Sequence, residues 1–168
     1  MKIRNSYLLL VFAVLSITSC KKTVGPTAQE KELTLLPKYI AKYHSTVTPK
    51  PSGLYVIETK AAPAGAVAIK NGDLVNVFYS GYRIEDNPTA GVQDGFKFDS
   101  NITSTTPFSF TVGQGKVIAG WDEGFTFMKD GSEAKLVIPS WLGYGDADFS
   151  GFIPPYSTLV FYVKVTKP

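Results

Sequence analysis

The chain has 168 residues, of which 44% are hydrophobic and 18% are charged, and its formal net charge is +3 at pH 7. A hydrophobic fraction of this size supports a folded core, for which about 115 residues are sufficient. The small net charge excludes the strongly basic surface that marks nucleic-acid-binding proteins, so we expect no nucleic-acid partner.

Residues 1–19 have the pattern of a bacterial lipoprotein signal peptide. Lys2 and Arg4 give a basic start, and Tyr7–Thr18 is a mostly apolar run that ends in ITSC, a lipobox. A membrane-spanning helix needs roughly 20 apolar residues, so this shorter run followed by small residues indicates cleavage instead. We expect Cys20, the only cysteine in the chain, to become the lipidated first residue.

The lipid on Cys20 is expected to attach the protein to a membrane of the bacterial cell envelope. With no second cysteine the chain forms no internal disulfide, so its stability must come from its core. Lys21 is not the aspartate that retains some bacterial lipoproteins in the inner membrane. We therefore favour the periplasm-facing side of the outer membrane.

Residues 20–51 are predicted to form a lipidated tether that contains a short helix. Ala28–Leu36 has a helical pattern, and Pro37 would start, kink or interrupt a second stretch through Tyr43. Apolar residues recur at spacings of three and four, which is typical of an amphipathic helix. These residues are Leu33, Leu36, Ile40 and Tyr43. Two roles stay open for this stripe, packing on the globular domain or dimerisation, and packing is the simpler one.

From residue 52 onward the pattern is that of short β-strands with a single helix. Alternating apolar residues predict the strands. They are Leu54–Thr59, Leu74–Tyr82, a strand with Phe108 and Phe110 on one face, a strand with Leu136 and Ile138 on one face, and Thr158–Thr166. Trp121, Phe125 and Met128 have helical spacing. One amphipathic helix packed on an antiparallel sheet is an α+β arrangement. Between Tyr82 and Phe96, the polar segment Arg83–Gly95 is predicted to be a surface loop.

Five blocks of sequence follow one another between residues 96 and 168. They read FKFDS, PFSFTVG, KVIAGWDEG, AKLVIPSWLGYG and IPPYSTLVF, and YSG precedes them at Tyr79–Gly81. In this order and spacing they closely resemble the FKBP-type peptidyl-prolyl cis-trans isomerases. The match begins near Ser52 and runs to the end of the chain.

The resemblance implies a curved antiparallel β-sheet wrapped around one short α-helix, formed by residues 52–168. It also implies an enzyme that catalyses rotation of Xaa-Pro peptide bonds in envelope or exported proteins, through an apolar aromatic groove. Its partners would be proline-containing segments of unfolded or exported proteins, and macrolides of the FK506 or rapamycin type would be further ligands. No cofactor and no metal are expected.

By motif position, the resemblance assigns three residues to catalysis: Tyr79, Asp99 and Tyr144. Asp99 would face the rotating carbonyl, with its carboxylate oriented through the Tyr79 hydroxyl, and Tyr144 would donate to another carbonyl. The remaining assigned residues would bind substrate. They are Phe98, Phe108, Val117, Ile118, Trp121, Phe152, Ile153 and Phe161. Trp121 would form the floor under the proline ring, and the N–H of Ile118 would hold a substrate carbonyl.

Two positions depart from the family pattern. Family members often carry an arginine that pairs with the aspartate, whereas Asn101–Thr106 contains no basic residue and has Ser104 at that position. A histidine that is frequent near the rim is replaced by Phe149. The missing arginine keeps an alternative function open, namely a chaperone module that binds proline-containing segments with little or no turnover.

Overall fold

The computed structural model describes residues 25–149 and 151–168, so the predicted signal peptide, Cys20 and Lys21 lie outside the described residues. Within those two ranges the chain forms six strands, two α-helices and one turn of 3₁₀-helix, Ser140–Leu142. The strands are β1 (Tyr55–Lys60), β2 (Leu74–Asn87), β3 (Gly91–Ser100), β4 (Phe108–Thr111), β5 (Glu133–Ile138) and β6 (Leu159–Thr166). The helices are α1 (Ala28–Tyr43) and α2 (Ala119–Phe125). No helix in the described part is long and apolar enough to cross a membrane.

The strands form one sheet in the order β1-β5-β6-β2-β3, and β4 also pairs with β2. All of these pairs are antiparallel. This arrangement confirms the predicted α+β class. The five predicted strands are present at or within a few residues of their expected positions, since side-chain alternation is a local signal.

The long strand β2 organises the sheet because it pairs with three others. One of its edges pairs with β6, and the other edge pairs first with β4 and then with β3. Asn101 lies in the gap between β3 and β4. Its side chain accepts from the Tyr79 N–H at 2.7 Å and donates to the Val77 carbonyl at 2.9 Å, which replaces the missing strand there. The gap opens a cleft at this side of the sheet.

Helix α2 packs on one face of the sheet and closes the main core. Trp121 and Phe125 are buried there, together with Val75, Leu136 and Ile138. The helix is shorter than the predicted pattern, because Met128 lies beyond its last turn, although the Met128 side chain is still buried.

Helix α1 covers the opposite face, so residues 28–43 are packed on the domain and the structure shows the packing alternative. Thr27 and Glu30 form a capping box at its start. The helix continues through Pro37, which leaves the carbonyl of Leu33 without its helical partner. Leu33 is 62% exposed, so the missing hydrogen bond lies on the solvent side of the helix.

The predicted apolar stripe of α1 was wrong for two of its four residues. Leu36 and Ile40 are buried against the sheet, whereas Leu33 and Tyr43 are exposed. Their places in the buried face are taken by Glu32 and Tyr39, and Tyr39 is completely buried. A polar residue therefore occupies a core position that a hydrophobic pattern cannot reveal.

The predicted surface loop Arg83–Gly95 was also wrong. Strand β2 continues to Asn87 and β3 starts at Gly91, so that a long hairpin replaces the loop. Its apolar residues Ile84 and Val92 pack under α1. Its polar residues are paired: Asp94, for example, accepts from the hydroxyls of Tyr39 and Tyr162. The polarity that suggested a loop reflects these interactions with α1 and β6.

Candidate active site

A pocket of about 300 Å³ opens where β3 and β4 part. Aromatic and aliphatic side chains form most of its wall, and two opposite charges stand among them. It is lined by Tyr79, Phe98, Asp99, Phe108, Lys116, Val117, Ile118, Trp121, Tyr144, Phe149 and Phe161. Nine of the predicted site residues thus come together from β2, β3, β4, α2 and β6, from the segment before α2 and from the segment after β5.

Trp121 lies at the base of the pocket and is only 4% exposed. Its ring meets Tyr79 and Phe161 edge-to-face, with centroids 5.1 Å away in both cases. Such contacts fix the indole plane. Its Nε1 is buried and has no hydrogen-bond partner among the described residues. The neighbouring Gly120 allows this close packing, since a Cβ there would lie 2.4 Å from Ile138.

Gly81 has a corresponding role in the pocket wall. A Cβ at this position would lie 2.7 Å from the Phe161 ring and 2.8 Å from the Phe98 ring. Those two rings meet edge-to-face at 5.5 Å. The absence of a side chain on Gly81 of β2 therefore lets the rings of Phe98 on β3 and Phe161 on β6 pack against each other.

Asp99 is held by two donors at the pocket edge. The Tyr79 hydroxyl donates to Asp99 Oδ2 at 2.5 Å, and the Ser100 N–H donates to Oδ1 at 2.8 Å. Burial, reinforced by Asp99, raises the pKa of Tyr79, so the tyrosine stays a donor. Ser104 bonds instead to the Thr106 carbonyl at 3.0 Å. Tyr79 and the backbone thus orient the carboxylate without the arginine of the family pattern.

Tyr144 reaches the pocket from the segment after β5. It stacks on Phe149, with ring centroids 4.3 Å apart and an interplanar angle of 12°. Burial raises the pKa of Tyr144, and Asp99 contributes in the same direction. The Tyr144 hydroxyl therefore remains a proton donor within reach of a ligand in the pocket.

Ile118 lies directly before α2, and its carbonyl accepts a hydrogen bond from the Trp121 N–H at 2.9 Å. The Ile118 N–H makes no hydrogen bond within the described part of the chain. An N–H at the wall of an apolar pocket needs an acceptor when water is displaced. A ligand carbonyl would supply that acceptor.

Phe152 and Ile153 do not line the pocket. Ile153 is 2% exposed and belongs to the main core, where its bridge to Phe149 turns its side chain inward. Phe152 is 55% exposed and stacks on Phe96 with centroids 5.9 Å apart. Motif position alone cannot distinguish an exposed residue from the buried residue that directly follows it.

Sequence reasoning missed Lys116 as a lining residue and left Phe149 out of the substrate-binding set. Lys116 directly precedes the predicted wall residues Val117 and Ile118, and this adjacency was the available signal. Lys116 makes no ion pair among the described residues. Lys116 is the second charged residue that lines the pocket, in addition to Asp99.

Comparison with known proteins gives a consistent result. A sequence model of the family described as FKBP-type peptidyl-prolyl cis-trans isomerase matches residues 65–166. An FK506-binding protein from Neisseria meningitidis serogroup C is 42% identical over 115 residues, which cover 68% of this chain and 96% of that protein. The peptidyl-prolyl cis-trans isomerase Fkbp12 of Drosophila melanogaster is 42% identical over 103 residues, or 61% of this chain and 87% of that protein.

Solved structures extend the similarity to the whole described fold. The crystal structure of FkpA from Escherichia coli has a TM-score of 0.64 at 32% identity and covers 84% of this chain, which spans 63% of the FkpA chain. A peptidyl-prolyl cis-trans isomerase from Pseudomonas syringae pv. tomato has a TM-score of 0.66 at 29% identity, and the match covers 86% of this chain and 96% of that one.

Proposed function

Since this chain belongs to the FKBP-type peptidyl-prolyl cis-trans isomerases and is such an enzyme, we propose where it acts and which residues bind the substrate and catalyse the reaction. It acts in the bacterial envelope, attached through a lipid on Cys20, and rotates Xaa-Pro bonds of unfolded or exported proteins. The observation that carries the catalytic part is the aromatic pocket with Trp121 at its base.

The reaction breaks no covalent bond, but it must rotate a partial double bond against a barrier of about 18–20 kcal/mol. A catalyst has to favour the twisted amide over the planar one. The twisted amide has lost the charge separation of the resonant form. Removal of water therefore costs it less hydration free energy than it costs the planar amide. A pocket walled by Phe108, Val117 and Phe161 supplies this apolar surrounding.

The polar groups of the pocket hold the chain on both sides of the rotating bond. The Ile118 N–H and the Tyr144 hydroxyl each donate to a substrate carbonyl, while the proline ring rests on Trp121. Asp99 faces the carbonyl of the rotating amide. This oxygen carries less negative charge in the twisted state than in the planar state. The carboxylate therefore repels the planar amide more strongly than the twisted one, which lowers the barrier between them. Phe98 packs edge-to-face on Phe161 in the wall of the pocket.

A role in binding proline-containing segments is a second candidate. It is favoured by the exposed stack of Phe96 and Phe152 next to Phe149, which extends the aromatic surface beyond the pocket. Several matched relatives, one of them quoted above, are named FK506-binding proteins. We propose that macrolides of that type occupy the same pocket here and compete with peptide substrates.

The deciding experiment measures cis-to-trans rates of Xaa-Pro peptides with protein that starts at Lys21, beside the variants Asp99→Ala and Trp121→Ala. We expect turnover well above the uncatalysed rate and a loss in both variants, with FK506 inhibiting the unmodified protein. A folded protein without acceleration would overturn the catalytic proposal and leave segment binding as its function.

The envelope location has its own test. In a bacterial host, the full chain should be recovered with membranes and should incorporate labelled fatty acid. The variant Cys20→Ser should lose the label. Labelling that persists in Cys20→Ser, or a full chain that never takes up label, would contradict the lipid anchor.

A further inference from the structure

One residue of α1 is bonded into the segment that carries Tyr144. Glu32 is only 4% exposed, and its carboxylate accepts hydrogen bonds from the Ser140 N–H at 2.6 Å and the Thr158 hydroxyl at 2.8 Å. The Ser140 hydroxyl donates to its other oxygen. Ser140 and Thr158 are themselves buried. Three donors for one carboxylate satisfy a group that is costly to bury unpaired.

The two partners of Glu32 lie at opposite ends of a single connection. Ser140 follows β5 and Thr158 precedes β6, so this carboxylate ties together both ends of the segment between those strands. The Ser140 carbonyl in turn accepts from the N–H groups of Gly143 and Gly145, each at 2.8 Å. These glycines flank Tyr144. A continuous set of hydrogen bonds therefore runs from α1 to the pocket.

We infer that Glu32 is a positioning residue of the isomerase reaction: through Ser140 and Thr158 it holds the segment that presents Tyr144 to the substrate. Helix α1 lies outside residues 65–166, the range that the family model matches. It thus contributes to the pocket of this enzyme without touching it. The inference rests on the proposed function, in which the Tyr144 hydroxyl binds a substrate carbonyl.

Glu32 affects the rate through the geometry of the pocket rather than through total stability. Misplacing a binding group by about 1 Å can reduce the rate about a hundredfold even when the change lies far from the chemistry. Leu36 offers a matched comparison, since it is buried on the same side of α1 but packs in the apolar cluster with Ile84 and Val160. Leu36→Ala weakens helix docking, and Glu32→Ala also releases the Tyr144 segment.

The test uses the full chain and compares Glu32→Ala, Glu32→Gln and Leu36→Ala at a temperature where all remain folded. We expect kcat/KM to fall between about tenfold and a hundredfold in Glu32→Ala. Glu32→Gln retains one acceptor oxygen and should recover part of the rate. Leu36→Ala should stay close to the unmodified protein. Hydrogen exchange should increase across residues 140–149 in Glu32→Ala only.

A double-mutant cycle with Tyr144→Phe separates positioning from a general loss of stability. If Glu32 acts through Tyr144, adding Glu32→Ala to Tyr144→Phe should reduce the rate much less than it does alone. Fully additive losses, or a Glu32→Ala rate equal to that of Leu36→Ala, would overturn the inference. Thr158→Val, which removes one donor at nearly constant shape, should give a smaller loss in the same direction and serves if Glu32→Ala does not fold. An unmodified protein without turnover would contradict the proposed function instead.

Discussion

The Tyr79 hydroxyl on β2 donates to the Asp99 carboxylate on β3 across the cleft where the sheet opens, with 2.5 Å between the two oxygens. The two residues lie in adjacent strands, in which Gly81 pairs with Asp99 and the register then shifts. This bulge turns Asp99 toward the pocket at the point where pairing ends. The hydrogen bond makes the orientation of the carboxylate depend on Tyr79.

Tyr79→Phe removes that hydrogen bond while it keeps the ring. We expect kcat/KM to fall by about tenfold, which corresponds to about 1.4 kcal/mol. Tyr82→Phe is the matched control, because Tyr82 lies on the same strand and packs on Tyr162 outside the pocket. Peptide isomerisation rates measure both. Equal rates for the two variants would show that Asp99 needs no such partner.

The two pocket tyrosines also predict a pH dependence. Burial and Asp99 raise the pKa of Tyr79 above the usual 10.0, and burial raises that of Tyr144. Both hydroxyls therefore remain donors where an exposed tyrosine would begin to ionise, and kcat/KM should be flat between about pH 7 and 10. Above pH 10.0 the unfolded chain loses these protons first, so folding stability should fall. A decline in kcat/KM centred below pH 10, without unfolding, would contradict the assignment.

Trp121→Phe should separate stability from activity. The indole N–H is buried without a partner in the described structure, and such a group costs about 1–3 kcal/mol. Its removal offsets the lost ring contacts, so we expect the free energy of unfolding to change by less than about 1 kcal/mol. The shallower floor should still lower kcat/KM by about fivefold, or about 1 kcal/mol. A large loss of stability in denaturant unfolding would show that the indole N–H is satisfied.

Gly81→Ala should disturb the pocket through its walls. The added methyl must displace the rings of Phe98 and Phe161, and overpacking of this kind costs about 1–3 kcal/mol of stability. Turnover should fall as well. Gly95→Ala is the control, because the atoms nearest to its methyl belong to the Glu85 side chain in the hairpin. We expect Gly95→Ala to leave turnover unchanged, and a similar loss of turnover in both variants would contradict the wall assignment.

Two tyrosines share Asp94 beneath α1 and allow a comparison of buried and exposed hydrogen bonds. Both hydroxyls donate to its carboxylate, but Tyr39 is buried and Tyr162 is exposed. Tyr39→Phe should therefore lower the free energy of unfolding by about 1.5–3 kcal/mol, more than Tyr162→Phe does. Thermal or denaturant unfolding measures both, and the reverse order would indicate that α1 contributes little to the folded state.

The sequence predicted the elements whose signal is local. Alternation placed β6 and the part of β2 up to Tyr82 correctly, and helical spacing located Trp121 on α2. The pocket residues followed from the resemblance, because their motifs sit on strands whose positions the fold constrains. Lys116 was missed because a lysine beside apolar residues looks like ordinary surface.

Interactions between distant residues were not predictable in this way. The hairpin through Arg83–Gly95 was taken for a loop because its polar residues have partners on α1 and β6. The buried face of α1 was misjudged because Glu32 is polar and yet central. Ile153 turned inward through its bridge to Phe149, which no spacing in the sequence encodes.

The bonds of Glu32 also constrain the order in which the chain can fold. Its partners Ser140 and Thr158 are 108 and 126 residues away in sequence. Contacts of such separation form slowly, because a long loop must close before they contribute. As the polypeptide is synthesised from its N-terminus, α1 is made early, yet its hydrogen bonds through Glu32 cannot all form until Thr158 has been made. Helix α1 therefore completes its bonding to the Tyr144 segment only after the residue that directly precedes β6 is available.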